Sequence, residues 1–283
     1  MVMKKKLICL VTMFAMSTTL LFGCGLMVDT GAREETTTTE VELIDETNDE
    51  TREALTVGFD ASFPPYGYED ENGDYVGFDL DLAAEVAQRN GWELILQPID
   101  WDAKDMELNA GTIDCIWNGF TINGREGQYE WTDAYVDNSQ VVIVRADSGI
   151  ASLEDLAGKE VIVQADSSAL KALEKGQAEL AATFGALTEV PEYNTAFMSL
   201  EAGAAEAVVL DIGIAKFQLE SRGDAFIILD EIVAEEQYGI GTKLGNTLLR
   251  DQIQTTLYEM LEDGTFMEIA ERWGLEDSVS LGQ

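Results

Sequence analysis

The sequence predicts an α/β protein of two units, and three observations carry the prediction. From Leu55 onward, short apolar strands alternate with amphipathic helices, the order that builds a parallel sheet. Near Ser148 and Gly149 the chain enters a second unit in which strands and helices alternate again, and after Gln237-Tyr238-Gly239-Ile240-Gly241 two amphipathic helices close it. At 283 residues, 46% apolar and 25% charged, the chain is long enough for two modest domains.

The elements follow in order. Lys4, Lys5 and Lys6 precede an uncharged run over residues 7–22, the charged and apolar regions of an export signal. The run is short for a membrane span of ~20 residues. It ends in Leu21-Phe22-Gly23-Cys24, which is similar to the bacterial lipoprotein box, so residues 1–23 are expected to be a lipoprotein signal peptide and Cys24 the palmitate-bearing anchor. Residues 24–53 carry Glu-Glu-Thr-Thr-Thr-Thr and Asp-Glu-Thr-Asn-Asp-Glu-Thr with few aromatics, the composition of an acidic disordered tether. Residues 55–59 read as a buried strand. Asp79 is placed to cap a helix carrying Leu82, Ala83, Val86 and Ala87 on one face and closed by Gly91, and 92–99 is strand again. In the second unit Ser152 and Asp155 have capping-box spacing, 161–164 is a strand, a helix starts at Ser168, and 207–210 is a strand. The closing helices span about 248–261 and 265–273, with Gly264 between them and Gly274 after.

Charge and composition exclude several functions. Seventeen Lys and Arg face 54 Asp and Glu, a net charge of −37, which argues against nucleic acid or anionic lipid headgroups as partners. Removing residues 1–23 takes three lysines and no acid, so the mature chain is more acidic still and the lipid must hold it at the membrane without electrostatic help. Histidine is absent, which removes the commonest general base and metal ligand; no metal or cofactor is expected. Of three cysteines only Cys115 remains beyond Cys24, so the mature chain has no disulfide partner to offer it; in its apolar stretch it reads as a small buried hydrophobe.

The stretch Asp-Cys-Ile-Trp-Asn-Gly-Phe-Thr-Ile-Asn-Gly-Arg-Glu, residues 114–126, presents one arginine after an apolar strand in a chain poor in positive charge. Upstream, Asp60 ends the first strand and begins a stiff loop, Phe63-Pro64-Pro65-Tyr66, at the carboxyl end of a strand, where open α/β sheets bind ligands. Strand, Asp60, aromatic and Pro-Pro, then Val76-Gly77-Phe78-Asp79-Leu80-Asp81-Leu82, resemble the opening of the family 3 solute-binding proteins of ABC transporters for polar amino acids, and the similarity runs over about 55–275.

That resemblance implies a two-lobe periplasmic-binding-protein-like fold of type II with two crossings: 54–146 plus 237–283 in lobe 1, 147–236 in lobe 2, and a hinge at 145–148 and 235–238. It implies that Arg125 grips a ligand α-carboxylate, with Asn118, Gly119 and Thr121 at the family's small polar positions. A planar guanidinium can do this through two parallel hydrogen bonds. The run from Thr121 to Arg125 is one residue shorter than in the family, and Gly124 is expected to tighten the turn. Gln164, Ser167 and Ser168 occupy the strand-to-helix turn that shares the carboxylate; Asp166, where the family has glycine, is expected to face solvent or cap the helix. Asp211 matches the acceptor of the α-ammonium, and could instead cap the helix after it. Phe63 and Trp101 match the aromatics around the ligand's aliphatic stem, and Asp60 a carboxylate near its distal end, a set that suits basic amino acids or glutamine.

The implied function is an extracytoplasmic, lipid-anchored, monomeric receptor that binds a polar L-amino acid between its lobes and hands it to an ABC permease. It is not expected to be an enzyme. The alternatives are an extracytoplasmic dehydratase of the same fold, for which a histidine-free cleft is poorly equipped, and a soluble sensory partner.

Overall fold

Ala54–Phe59 forms a strand whose Leu55, Val57 and Phe59 are wholly buried, with Glu93–Pro98 parallel on one side and Cys115–Ile116 parallel on the other. The computed structural model describes residues 52–283, all within one compact unit; the export segment, Cys24 and nearly all of the acidic tether lie outside the described residues. Gly241–Lys243 and Tyr129–Trp131 extend this sheet antiparallel, giving five strands that combine residues from both ends of the described chain.

Helix Phe78–Asn90 covers the sheet with the expected face of Leu82, Ala83, Val86 and Ala87 and stops at left-handed Gly91, whose N–H donates to Gln88 O. Its start corrects the sequence reading: Gly77 is the cap, and Asp79 lies in the first turn, fully buried. A β-carbon on Gly77 would fall 2.2 Å from Tyr66 O, so only glycine lets the helix start against that loop. Asp79 points inward instead. It accepts from Gly119 N at 2.6 Å and Tyr135 Oη at 2.8 Å, while burial pushes its carboxyl up to about 7.

The second sheet runs Ala186–Val190, Glu160–Gln164, Ala207–Asp211, Val136–Arg145, Phe226–Ile228, with Ala234–Tyr238 pairing along the first half of Val136–Arg145. The strands at 160–164 and 207–211 have the apolar runs expected of strands buried on both faces. Ser152 and Asp155 form the expected capping box, although on a single 3₁₀ turn. The helix starts at Ser168 as expected, and after one α turn, Ser168–Lys171, it passes into a π turn, Ala172–Gly176.

The fold is the two-lobe α/β arrangement of type II. Sheet pairing divides it earlier than the sequence boundary, because Val136–Arg145, placed with lobe 1 from its position, pairs with three strands of the second sheet and with the other half through the isolated bridge from Val136 to Val279. Ala234–Tyr238 returns antiparallel beside it, Tyr238 opposite Val136, so the passages between sheets fall at 132–136 and 238–241. Helices Thr247–Asp263 and Thr265–Trp273, separated by left-handed Gly264, then pack on the first sheet beside Phe78–Asn90.

Candidate ligand-binding site

The loops at the carboxyl ends of the first sheet face those of the second, and one narrow cavity between them is lined by Phe63, Trp101, Gly119, Thr121, Arg125, Gln164, Ser167, Ser168 and Asp211. Nine sequence-nominated residues are thus brought together. The two others stand behind them. Asn118 is fully buried, and its Oδ1 accepts from Asp60 N at 3.0 Å, fixing the loop that carries Phe63. Asp60 accepts from Gln164 Nε2 at 2.7 Å across the cleft and lines an adjoining cavity of about 350 Å³.

Arg125 reaches the cavity because the turn before it is tight. Its N–H donates to Ile122 O at 2.8 Å, and Gly124 takes φ 79°, which a β-carbon would oppose. The guanidinium lies 5.1 Å from the Phe120 ring centroid; Nη1 donates to Thr121 O at 3.1 Å and Nη2 to Asp166 O at 3.3 Å. Nε is buried without an acceptor. A guanidinium that is 98% buried, faces no carboxylate hydrogen-bonded to it, and holds an unused donor is prepared for an anionic group.

Both serines line the cavity and also bond within the protein. Ser167 caps the short helix, accepting from Leu170 N at 3.1 Å, and Ser168 Oγ donates to Glu236 Oε1 at 3.2 Å. Asp166 does not cap the helix, and its side chain is about a third exposed (36%). It adopts φ 51° and forms ion pairs with Lys104 and with Lys171, the latter at 3.2 Å. Burial works to raise its carboxyl, but the two lysines outweigh that and hold it below the usual range. The pair with Lys104, itself buried beneath Trp101, spans the cleft.

At the opposite end Asp211 closes its strand and is buried. It accepts from Asn138 Nδ2 and Gln140 Nε2, both at 2.8 Å, and from Tyr238 Oη at 2.5 Å, and makes no side-chain cap to the helix after it. Between the two ends the rings of Phe63 and Trp101 lie parallel, 6.4 Å apart and 12° from coplanar. An aliphatic chain needs ~3.5–4.0 Å to each ring, more than a 6.4 Å centroid separation provides, so the plates admit one only after parting. Beyond them the adjoining cavity is lined by Asp60, Asp100, Asp102 and Glu192, with no cation among its lining residues. Burial, and Glu192 and Asp100 nearby, raise the Asp60 carboxyl.

Sequence reasoning missed Lys104, Glu236, Asn138 and Gln140. A signal existed for the last three: Asn138 and Gln140 sit two apart on one strand, Glu236 and Tyr238 two apart on its neighbour, so a period of two turns all four to one face. Cys115 is buried with its thiol pushed up by burial, as a core residue would be.

A cleft between two α/β sheets with a buried arginine on one side and buried carboxylates on the other offers the two charges that a dipolar solute would need. The family model of bacterial extracellular solute-binding proteins, family 3, matches residues 55–276, and the chain belongs to that family. It is 25% identical over 228 residues to the L-cystine-binding protein TcyJ of Escherichia coli strain K12, covering 78% of this chain and 83% of TcyJ. It is 28% identical over 226 residues to the arginine-binding extracellular protein ArtP of Bacillus subtilis strain 168, covering 78% of this chain and 86% of ArtP. Among solved structures, an ABC uptake transporter substrate binding protein from Streptococcus pneumoniae with bound histidine superimposes with a TM-score of 0.77 at 31% identity, over 80% of this chain and 94% of that one. An ancestral arginine-binding protein bound to arginine gives 0.72 at 36%, over 78% and 98%.

Proposed function

We propose that this protein is a receptor for a basic L-amino acid, lipid-anchored at Cys24 outside the cytoplasm, that closes over its ligand and presents it to an ABC importer. The observation that carries the proposal is the opposed pair: Arg125, from the first sheet's side, and Asp211, ending a strand of the second, line one cavity. A free amino acid carries both complementary charges about one residue apart, and leaving either unpaired in a closed cleft would cost several kcal/mol. The four acids beyond Trp101 favour a cationic side chain over the amide of glutamine. The relatives' names agree in kind: cystine, arginine and, in the solved neighbours, histidine, arginine and glutamine.

Closure proceeds by rotation of the lobes at 132–136 and 238–241, and ligand bridging stabilises the closed state because only there do Arg125 and Asp211 act on one molecule. The chain works as a monomer and the importer reads the closed shape. The test is a thermal-shift screen of the twenty amino acids with ornithine, citrulline and cystine. Arginine, lysine, ornithine or histidine should raise the melting temperature most; a screen in which no amino acid does so ends this reading, and turnover of cyclic dienyl acids would replace it with the dehydratase.

A further inference from the structure

Asp211 does not stand alone at its end of the cavity. Glu236, 6% exposed, lies one strand further on, in Ala234–Tyr238, which pairs with Val136–Arg145 as Asp211's strand does; it stands behind the cavity lining and enters the same hydrogen-bond set. Its Oε1 accepts from Thr121 Oγ1 at 2.9 Å, Asn138 Nδ2 at 2.7 Å, Gln140 Nε2 at 2.6 Å and Ser168 Oγ at 3.2 Å. Asn138 and Gln140 thus donate to both acids, and all of Glu236's donors are neutral. The two amides leave Asn138 Oδ1 and Gln140 Oε1 buried with no donor. In this buried cluster the two amide oxygens lack a donor, and the two carboxylates have only neutral hydrogen-bond donors; a primary ammonium brings three donors and one charge.

We propose that Glu236 is a second ligand-binding carboxylate, that it forms with Asp211 a two-acid socket for the ligand's ammonium, and that capture of the ammonium expels one proton from Asp211 to solvent. The inference rests on the amino-acid reading above. In balance, the ligand-free socket holds Asp211 as the acid and Glu236 as the carboxylate; the bound socket holds two carboxylates and one ammonium, with the proton on buffer. Two like charges on shared donors cannot both be ionised cheaply in a buried site until a cation joins them. Burial, then Glu236 beside it, push Asp211 up to about 8. The other groups facing the pair do not relieve it: Tyr238, Tyr66 and Tyr193 are phenols with their ionisation pushed up by burial, Asp79 acts on Tyr66 and Asp60 on Tyr193, and Arg125 is near enough to feel Glu236 but makes no hydrogen bond to it. The proton has a route out away from the ligand, since Glu236 and Asn138 also line an outer cavity of about 500 Å³ with Asp137 and Glu235.

The test is titration calorimetry of the full chain in detergent with L-arginine, in phosphate and in Tris buffer, whose different ionisation enthalpies count protons. Near pH 6.5 about one proton should be released per arginine bound, falling toward none above pH 9, and affinity should rise up to tenfold per pH unit below about 8. Glu236→Gln removes the second of the two causes and leaves burial, so it should lower the proton release and move its pH profile to lower pH. Arginine binding without proton release, or equal release in Glu236→Gln, overturns the inference while the receptor reading stands. If no amino acid binds, that reading fails and carboxyl ¹³C NMR of the ligand-free chain still decides the socket: Asp211 titrating near 4 in the parent refutes it, and titration near 8 that drops in Glu236→Gln upholds the paired acids.

Discussion

Arg125→Lys isolates what the guanidinium contributes, because it keeps the charge and removes the fork. A hydrogen bond to a charged group contributes ~1.5–3 kcal/mol, and an ammonium reaching the same place can replace only one of two parallel bonds. Affinity for arginine should therefore fall about 10- to 150-fold. The fold has its own stake, since Thr121 O and Asp166 O each lose a donor from a side chain that is 2% exposed. Leaving those carbonyls unpaired costs ~1–3 kcal/mol, a drop of roughly 2–10 °C in melting temperature for a chain of this size. Titration calorimetry at pH 7 and scanning calorimetry of the same sample separate the two effects. If the melting temperature falls as stated while arginine affinity stays within threefold of the parent, Arg125 is a structural residue and the carboxylate is held elsewhere.

Asp60→Asn should weaken binding of cationic amino acids at least tenfold and leave glutamine nearly unchanged, measured by competition; equal loss for both would remove Asp60 from side-chain selection. Gly119 sits at φ 55° with Phe63 Cε1 and Tyr238 Cε2 2.7 and 3.2 Å from where a β-carbon would be, so Gly119→Ala should displace the Phe63 plate, costing about 1 kcal/mol or more of stability and weakening every ligand. Because Asp79 titrates higher folded than unfolded, its contribution is complete below about pH 4 and is lost as pH rises through about 7, with a slope of up to ~1.4 kcal/mol per unit; urea unfolding across that window should show the decline, and Asp79→Asn should flatten it. Cys24→Ala should move the protein from the membrane pellet to the soluble fraction, and unchanged sedimentation would argue against a lipid anchor.

Most of the first sheet was legible because its strands and helix Phe78–Asn90 are specified locally, by apolar runs and by Gly91. The strand at 136–145 shows the limit. Its apolar half, Val141 to Val144, marks a buried strand, but nothing in its own residues says which sheet it joins; that is fixed by pairing with Ala207–Asp211, more than sixty residues away. The cap of the first helix was misread because Asp79 has the right chemistry for a cap, and the close passage of Tyr66 that demands Gly77 is a tertiary fact. At the site, the placing of Arg125 and Asp211 on one cavity followed from motif order, whereas the period-two signal of Glu236 and Tyr238 could not be told from solvated surface in a run of Ala-Glu-Glu-Gln until the opposite strand supplies Asn138 and Gln140. Ser167 and Ser168 reach the cavity as their motif position implied, while their bonds to Leu170 N and to Glu236 depend on tertiary placement.

The antiparallel register that sets Tyr238 opposite Val136 lays both passages between the halves side by side, and Val279 bridges Val136 from the carboxyl-terminal tail. Neighbouring hydrogen-bonded strands resist sliding and splaying but tolerate a common twist, so the molecule has in effect a single axle. Solutes that differ at the far end would then swing the two halves through the same arc, and whatever docks on the outside would see one silhouette, leaving chemical discrimination to the cleft alone.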